Sequence, residues 1–268
     1  MVDDSVRLEA LSALLGASIK QQKFTPLKPT RPITVDDYVI SAILGYKALL
    51  GEESPNLPTP DQSSSTTDSS QNFGVKRELF VDVEDFFDSS YDCDFSNFSW
   101  WSASCMRGDE EYKRPVGWYR MALKVQDKYP DGNTWLGPNG MRHHSARGEW
   151  PVSYHGTSLE GAKGIIKSHY KAGPRAVHGR GIYSTPSLDS ADEYATRFTS
   201  ETTGKTYRVI MQNRINPKER FICQKKEYWL IPVPDGSSRR QEKEIVERSI
   251  RPYGILIQEV TESTCLIL

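Results

Sequence analysis

The residues able to do chemistry together are concentrated between Ser153 and Ala195. A short apolar run ends in His155-Gly156-Thr157, a Gly-rich turn leads into Gly181-Ile182-Tyr183, and Tyr194 follows eleven residues after Tyr183. A His-Gly turn leaving a strand brings an imidazole and a bare backbone together, and glycine lets a flat ligand lie against that backbone. Two tyrosines, one ending a strand and one on the next helix, can sandwich such a ligand between their rings. Each motif alone is common in turns of ordinary proteins. The signal is the ordered set.

The elements that must position these residues are short and mixed. Trp118 to Val125 alternates as a strand, and Val152 to His155 reads as the next. Gly161 to Ile166 starts a helix, Gly181 to Ser184 is a short strand, and Ser187 to Phe198 is expected as the helix that carries Tyr194. Tyr207 to Ile215 is a strand stopped by Asn216-Pro217. Glu227 to Val233 is another, stopped by Pro234-Asp235-Gly236, and Pro252 to Val260 is the last. Arg239 to Arg248 reads as a charged, exposed stretch. The Gly/Asn/Pro-rich connection from Tyr129 to Trp150 is long enough to fold over or cap a site. Mixed short strands with few helices make the fold class α+β.

Upstream, residues 1–50 read as a helical N-terminal appendage, with an apolar face on Val6, Leu8, Leu11, Leu14, Leu15 and Ile19 and a second helix from Tyr38 to Leu50. Two roles stay open for it: a partner-binding hairpin, or helices packed on the main domain. Residues 51–72 are rich in Ser, Thr, Pro and Asp and read as a disordered linker. The main domain runs over 73–262, followed by a tail over 263–268. Its lead-in from Glu78 to Asp94 holds seven acids and no Lys or Arg, interleaved with Phe80, Phe86, Phe87 and Tyr91 and followed by Phe95, Phe98, Trp100 and Trp101. We read it as a wrapping segment with packed aromatics and solvated acids, in preference to a docking surface for a basic partner. Asp92-x-Asp94 lacks the further ligands and the glycine of a calcium loop.

Composition narrows the classes. The 268 residues carry a net charge of −1 and 37% hydrophobic residues, with a mean hydropathy of −0.58, which fits a globular portion diluted by polar linkers. No global basic field draws the chain to nucleic acid or an anionic membrane. No apolar run approaches a membrane span, and the first twenty residues lack the pattern of a secretory signal. Cys93, Cys105, Cys223 and Cys265 are scattered without metal-ligand spacing and read as free thiols of a reducing compartment. The expected location is intracellular and cytoplasmic.

The order His155-Gly156-Thr157, then Gly179-x-Gly181-Ile182-Tyr183, then a segment ending Tyr194-Ala195 resembles the NAD-binding core of the PARP-type ADP-ribosyltransferases over roughly residues 115–260. The resemblance implies an ADP-ribosyltransferase-like fold of two small mixed or antiparallel sheets. It implies NAD as co-substrate, no metal, and a His-Tyr-Glu set from separate strands. Lys226-Glu227-Tyr228-Trp229-Leu230-Ile231 fits the family's glutamate run, so Glu227 takes that place. Cleaving the nicotinamide–ribose bond develops oxocarbenium character, which a carboxylate near the ribose 2'-hydroxyl can stabilise while orienting an acceptor. By resemblance Tyr183 and Tyr194 hold nicotinamide flat, the Gly156 backbone binds its carboxamide, His155 bonds the adenosine ribose with Thr157 in support, and Arg180 approaches the pyrophosphate.

Two departures matter. Ala191 stands eight residues after Tyr183, where family members commonly carry a carboxamide-binding serine, and the neighbouring Ser190 points elsewhere on a helix. The interval from Tyr183 to Glu227 is short, which favours mono-transfer to a protein side chain over polymer synthesis. The alternatives are a catalytically inactive module of this fold acting as a binding scaffold, an NAD glycohydrolase, and an RNA 2'-phosphotransferase. The last is disfavoured by the lack of a basic composition. The tail Cys265-Leu266-Ile267-Leu268 matches a prenylation signal, but no basic run precedes it to supply a second membrane signal. Membrane association is expected only if Cys265 is lipidated.

Overall fold

The computed structural model describes residues 2–21, 78–96, 105–140, 142–156, 181–223 and 228–261. It is an α+β protein. Its backbone is a six-stranded sheet in which β3 (Cys93–Asp94), β6 (Tyr119–Ala122), β13 (Ile250–Glu259), β10 (Thr206–Ile215) and β7 (Val152–His155) lie side by side. One edge of the long strand β10 is shared. Met211 to Arg214 pair with β7, and Thr206 to Val209 pair with β9 (Thr196–Thr199), all antiparallel. A second sheet orders β11 (Phe221–Ile222), β12 (Trp229–Pro232) and β8 (Gly181–Ser184). The two sheets meet where Tyr154 and Thr185 exchange backbone hydrogen bonds of 2.7 and 3.0 Å.

Alternation along β10 and β13 gives the main sheet two apolar faces. Val209, Met211, Ile255 and Ile257 join the larger core, whereas Ile210 and Leu256 join Trp118, Val152, Tyr154 and Ala191 on the other side. The larger core also takes in the N-terminal helix α1 (Asp4–Leu15) through Val6, Ala10, Leu11 and Leu14. Asp3 caps this helix by accepting from the Ser5 amide, and Gly16 ends it at φ 63°, a left-handed position that costs glycine little. Beyond it, β1 (Ser18–Gln21) pairs in parallel with β2 (Glu78–Val81), where the apolar spacing had pointed to helix continuing through Ile19. Of the two roles left open for the N-terminus, packing on the domain is the one α1 adopts. The second expected helix lies outside the described residues.

The lead-in wraps the domain as expected. Val83 and Phe86 in the short helix α2 (Val83–Phe86) are buried, as are Phe87 and Phe95, while Glu84 and Asp85 are exposed. Asp92 departs from the solvated reading. It accepts from the buried Arg7 at 2.5 Å, from the Tyr119 hydroxyl at 2.8 Å and from the Ala122 amide at 2.9 Å. It thereby ties α1 to the central sheet.

A hairpin and a helix are among the elements unread in the sequence. Cys105–Arg107 (β4) and Glu110–Tyr112 (β5) form a hairpin whose turn residues Gly108 and Asp109 both have positive φ, the geometry of a tight two-residue turn. The charged stretch is the helix α4 (Arg239–Ser249), started by a reciprocal capping box between Ser238 and Gln241. Ile245 and Val246 bury its inner face. The connection from Tyr129 to Trp150 packs on the domain, and its Leu136, Pro138, Asn139, Gly140 and Arg142 form part of the wall of a cavity. Its aromatics Tyr129, Trp150 and Trp135 surround the Arg251 guanidinium at 3.9, 4.5 and 5.2 Å, and the same connection carries Glu149 into the interior among arginines.

Candidate functional site

Antiparallel pairing of β7 with β10 fixes His155 opposite Met211, and pairing of β8 with β12 fixes Tyr183 opposite Leu230. The bridge at Tyr154 and Thr185 then brings the ends of β7 and β8 together. The result is a direct contact between two of the expected site residues. His155 Nδ1 lies 2.6 Å from the Tyr183 carbonyl oxygen. A carbonyl only accepts, so Nδ1 carries the proton and donates, which leaves Nε2 as the acceptor in the neutral ring. The ring is buried at 8% exposure. Burial holds its pKa below the ordinary value of 6.5, although the bond to Tyr183 works the other way.

A histidine whose folded pKa lies below its unfolded pKa takes up its proton more readily on unfolding, so stability rises with pH between the two values. The contribution of His155 is therefore complete above about pH 6.5 and declines as the pH falls towards the folded pKa. Urea unfolding at pH 7 and pH 5 is expected to show a larger loss for the wild type than for His155→Gln. Equal losses would mean that the ring is hydrated and titrates normally.

Gly156 follows at the exit of β7. A Cβ built there would strike the Ala191 carbonyl and lie 2.8 Å from Tyr194 Cβ. The side-chain position of this glycine therefore faces the turn that carries Tyr194, and the missing Cβ serves close packing of α3 (Leu188–Asp192) on β7. That helix starts at Ser187, whose Oγ accepts from the Ser190 amide at 3.2 Å, and an Arg208–Asp192 ion pair ties its end to β10. Ala191 is 1% exposed and sits in the smaller core. A serine there would put its hydroxyl among apolar side chains.

The helix expected over Ser187 to Phe198 is shorter. It ends at Asp192, Tyr194 lies in the turn beyond it, and Thr196–Thr199 is the strand β9. The β-branched and aromatic residues Thr196, Phe198 and Thr199 favour strand, and pairing with β10 supplies their backbone partners. Tyr194 is thus held by the close approach at Gly156, a contact that the sequence spacing did not reveal. Both Tyr183 and Tyr194 remain partly accessible.

Thr157, Arg180, Glu227 and Cys265 lie outside the described residues. The chain resumes at Tyr228, whose carbonyl accepts from the Cys223 amide at 3.0 Å, and Trp229 then pairs with Ser184. Cys93, Cys105 and Cys223 are free thiols. Among the described residues no group of three or more His, Cys, Asp and Glu is gathered to hold a metal ion, and no helix is long and apolar enough to cross a membrane. Compared with protein-family models and with curated proteins, the chain matches none.

Proposed function

We propose that the protein is an NAD-dependent mono-ADP-ribosyltransferase of the PARP type. The observation that carries the reading is the bond from His155 to the Tyr183 carbonyl. Residues 28 apart, picked out by motif alone, meet at one point, with Gly156 and Tyr194 packed beside them. The protonation state fits the substrate. A neutral imidazole whose Nδ1–H is engaged offers Nε2 to a ribose hydroxyl, and partly accessible tyrosine rings can bind a flat nicotinamide.

In the proposed reaction the bond between the ribose C1 and the nicotinamide nitrogen breaks and its electron pair leaves with nicotinamide. A nucleophilic side chain of an acceptor protein bonds to that carbon and gives up its proton. Glu227 takes the role of stabilising the positive ribose and orienting the acceptor. It stands two residues before Trp229, the residue paired with the strand of Tyr183.

Incubation of the pure protein with NAD labelled in its adenylate half tests the reading. Label is expected to be retained on protein with wild type and to fall roughly 10²–10³-fold with Glu227→Ala, and to drop also with His155→Ala. Nicotinamide release without retained label would instead indicate a glycohydrolase. A Glu227→Ala protein indistinguishable from wild type in NAD turnover would favour a non-enzymatic binding module. Ala191 is the observation on that side, because its buried methyl stands in place of a carboxamide donor.

A further inference from the structure

A strip of polar side chains interrupts the larger core. Alternation along β10 sends Val209, Met211 and Ile215 into that core, and Ile210 and Gln212 to the opposite face, where Gln212 Nε2 meets the Tyr112 hydroxyl at 3.3 Å. Asn213 stands between Met211 and Ile215 and so faces the larger core with them. Ser153 is its register partner on β7. Ser184 alternates with the core residue Ile182 on β8 and enters the same core. The antiparallel bridge between Tyr154 and Thr185 places Ser184 opposite His155, one step along. Asn213 and Ser153 are 0% exposed and Ser184 is 3% exposed, so bulk solvent reaches none of them.

The polar atoms of these side chains are not satisfied by the protein. Ser153 Oγ, Ser184 Oγ and both Oδ1 and Nδ2 of Asn213 have no hydrogen-bond partner among the described residues. Residues directly opposed on antiparallel strands have Cβ atoms about 4.5–5.5 Å apart, close enough for a hydroxyl and a carboxamide to share one small molecule. No direct bond joins Ser153 to Asn213. A buried polar group left unmet is costly, and the apolar neighbours Met211, Ile215 and Ile182 offer it nothing. Asn213 presents a donor and an acceptor, and a serine hydroxyl serves as either, so the matching partner both donates and accepts. With His155 neutral the strip carries no charge, and an ion there would be buried uncompensated. Water fits these demands, since buried waters typically make about three hydrogen bonds to groups of this kind.

We propose that an internal water molecule bridges Ser153 and Asn213 inside the larger core, with Ser184 extending its polar surroundings towards His155. The assignment does not rest on the NAD reading. Magnetic relaxation dispersion of deuterium and oxygen-17 in solutions of the full-length protein tests it, because the method counts internal waters that exchange slowly with solvent. The wild type is expected to hold at least one more such water than Asn213→Leu, which keeps the bulk of the side chain and removes its donor and acceptor. A crystal structure of the wild type that shows ordered solvent keeps the test decisive if Asn213→Leu fails to fold. It is expected to place a water within hydrogen-bond distance of both Ser153 Oγ and the Asn213 carboxamide. Either of two results overturns the proposal: equal counts of slowly exchanging water in wild type and folded Asn213→Leu, or a crystal structure in which Ser153 and Asn213 bond each other or other protein groups with no water between them.

Discussion

Glu149→Gln is expected to cost about 3–5 kcal/mol of folding stability, the usual effect of breaking a buried ion pair by removing one partner. The Glu149 side chain is fully buried, accepts from the Ala146 amide at 3.0 Å, and answers Arg107, Arg142 and Arg214. Burial alone would raise its pKa. The hydrogen bonds from Arg142 and Ala146 and the charge of Arg214 outweigh burial and hold the carboxyl below its ordinary value of 4.5. Glutamine keeps the shape and one acceptor but leaves three guanidinium groups around a neutral side chain. Domains are stable by about 5–15 kcal/mol in all, so the loss would be conspicuous as a lower urea midpoint at constant slope. The pH dependence follows from the lowered pKa. The stabilisation by Glu149 is present above pH 4.5 and is lost as the pH falls through the folded value, so the variant's deficit should shrink in acid. A deficit under about 1 kcal/mol at neutral pH would show that the arginines find other partners or water.

The second large effect is expected from a single methyl group. Gly156→Ala would press Cβ into the Ala191 carbonyl and against Tyr194, and neither is the free end of a flexible side chain. Overpacking of this kind costs roughly 1–3 kcal/mol, relieved here by moving α3 away from β7. That movement carries Tyr194 with it, so, on the proposed NAD-binding reading, NAD affinity should fall at least about tenfold beyond what the stability loss explains, a change of ~1.4 kcal/mol in binding. Calorimetry with NAD on folded variant, checked by circular dichroism, reads this directly. Wild-type affinity and stability in Gly156→Ala would remove the link drawn between the close approach and the site.

The strands were legible wherever alternation was clean. Residues 206–215, 250–259 and 181–184 form strands close to where the pattern put them, because β-branched and aromatic side chains alternate between two buried faces. The His155–Tyr183 pairing was legible as a motif but not as a bond. Its partner is a backbone carbonyl, which no residue type announces. Three misreadings share a cause, in that local signals were overruled or overlooked. Tyr194 was assigned to a helix because apolar spacing continued past Asp192, whereas pairing of residues 196–199 with β10 decided the matter. The helix at 239–249 was missed because its charges hid the box formed by Ser238 and Gln241. The cluster of Arg107, Arg142 and Arg214 around Glu149 was invisible because its members come from segments scattered between residues 107 and 214. Only the sheet assembles them.

The docking of α1 bears on the order of events during folding. Arg7 reaches Asp92, 85 residues away, and Glu9 accepts from Thr202, 193 residues away. During synthesis the helix therefore leaves the ribosome long before its partners exist, with Val6, Leu11 and Leu14 still uncovered. Contacts of such sequence separation form late and slow the reaction, and apolar surface that waits for them is open to aggregation. A helix made well before its partners is among the last elements to be secured, so truncating the chain before Thr202 would leave α1 without that anchor however well the intervening strands fold.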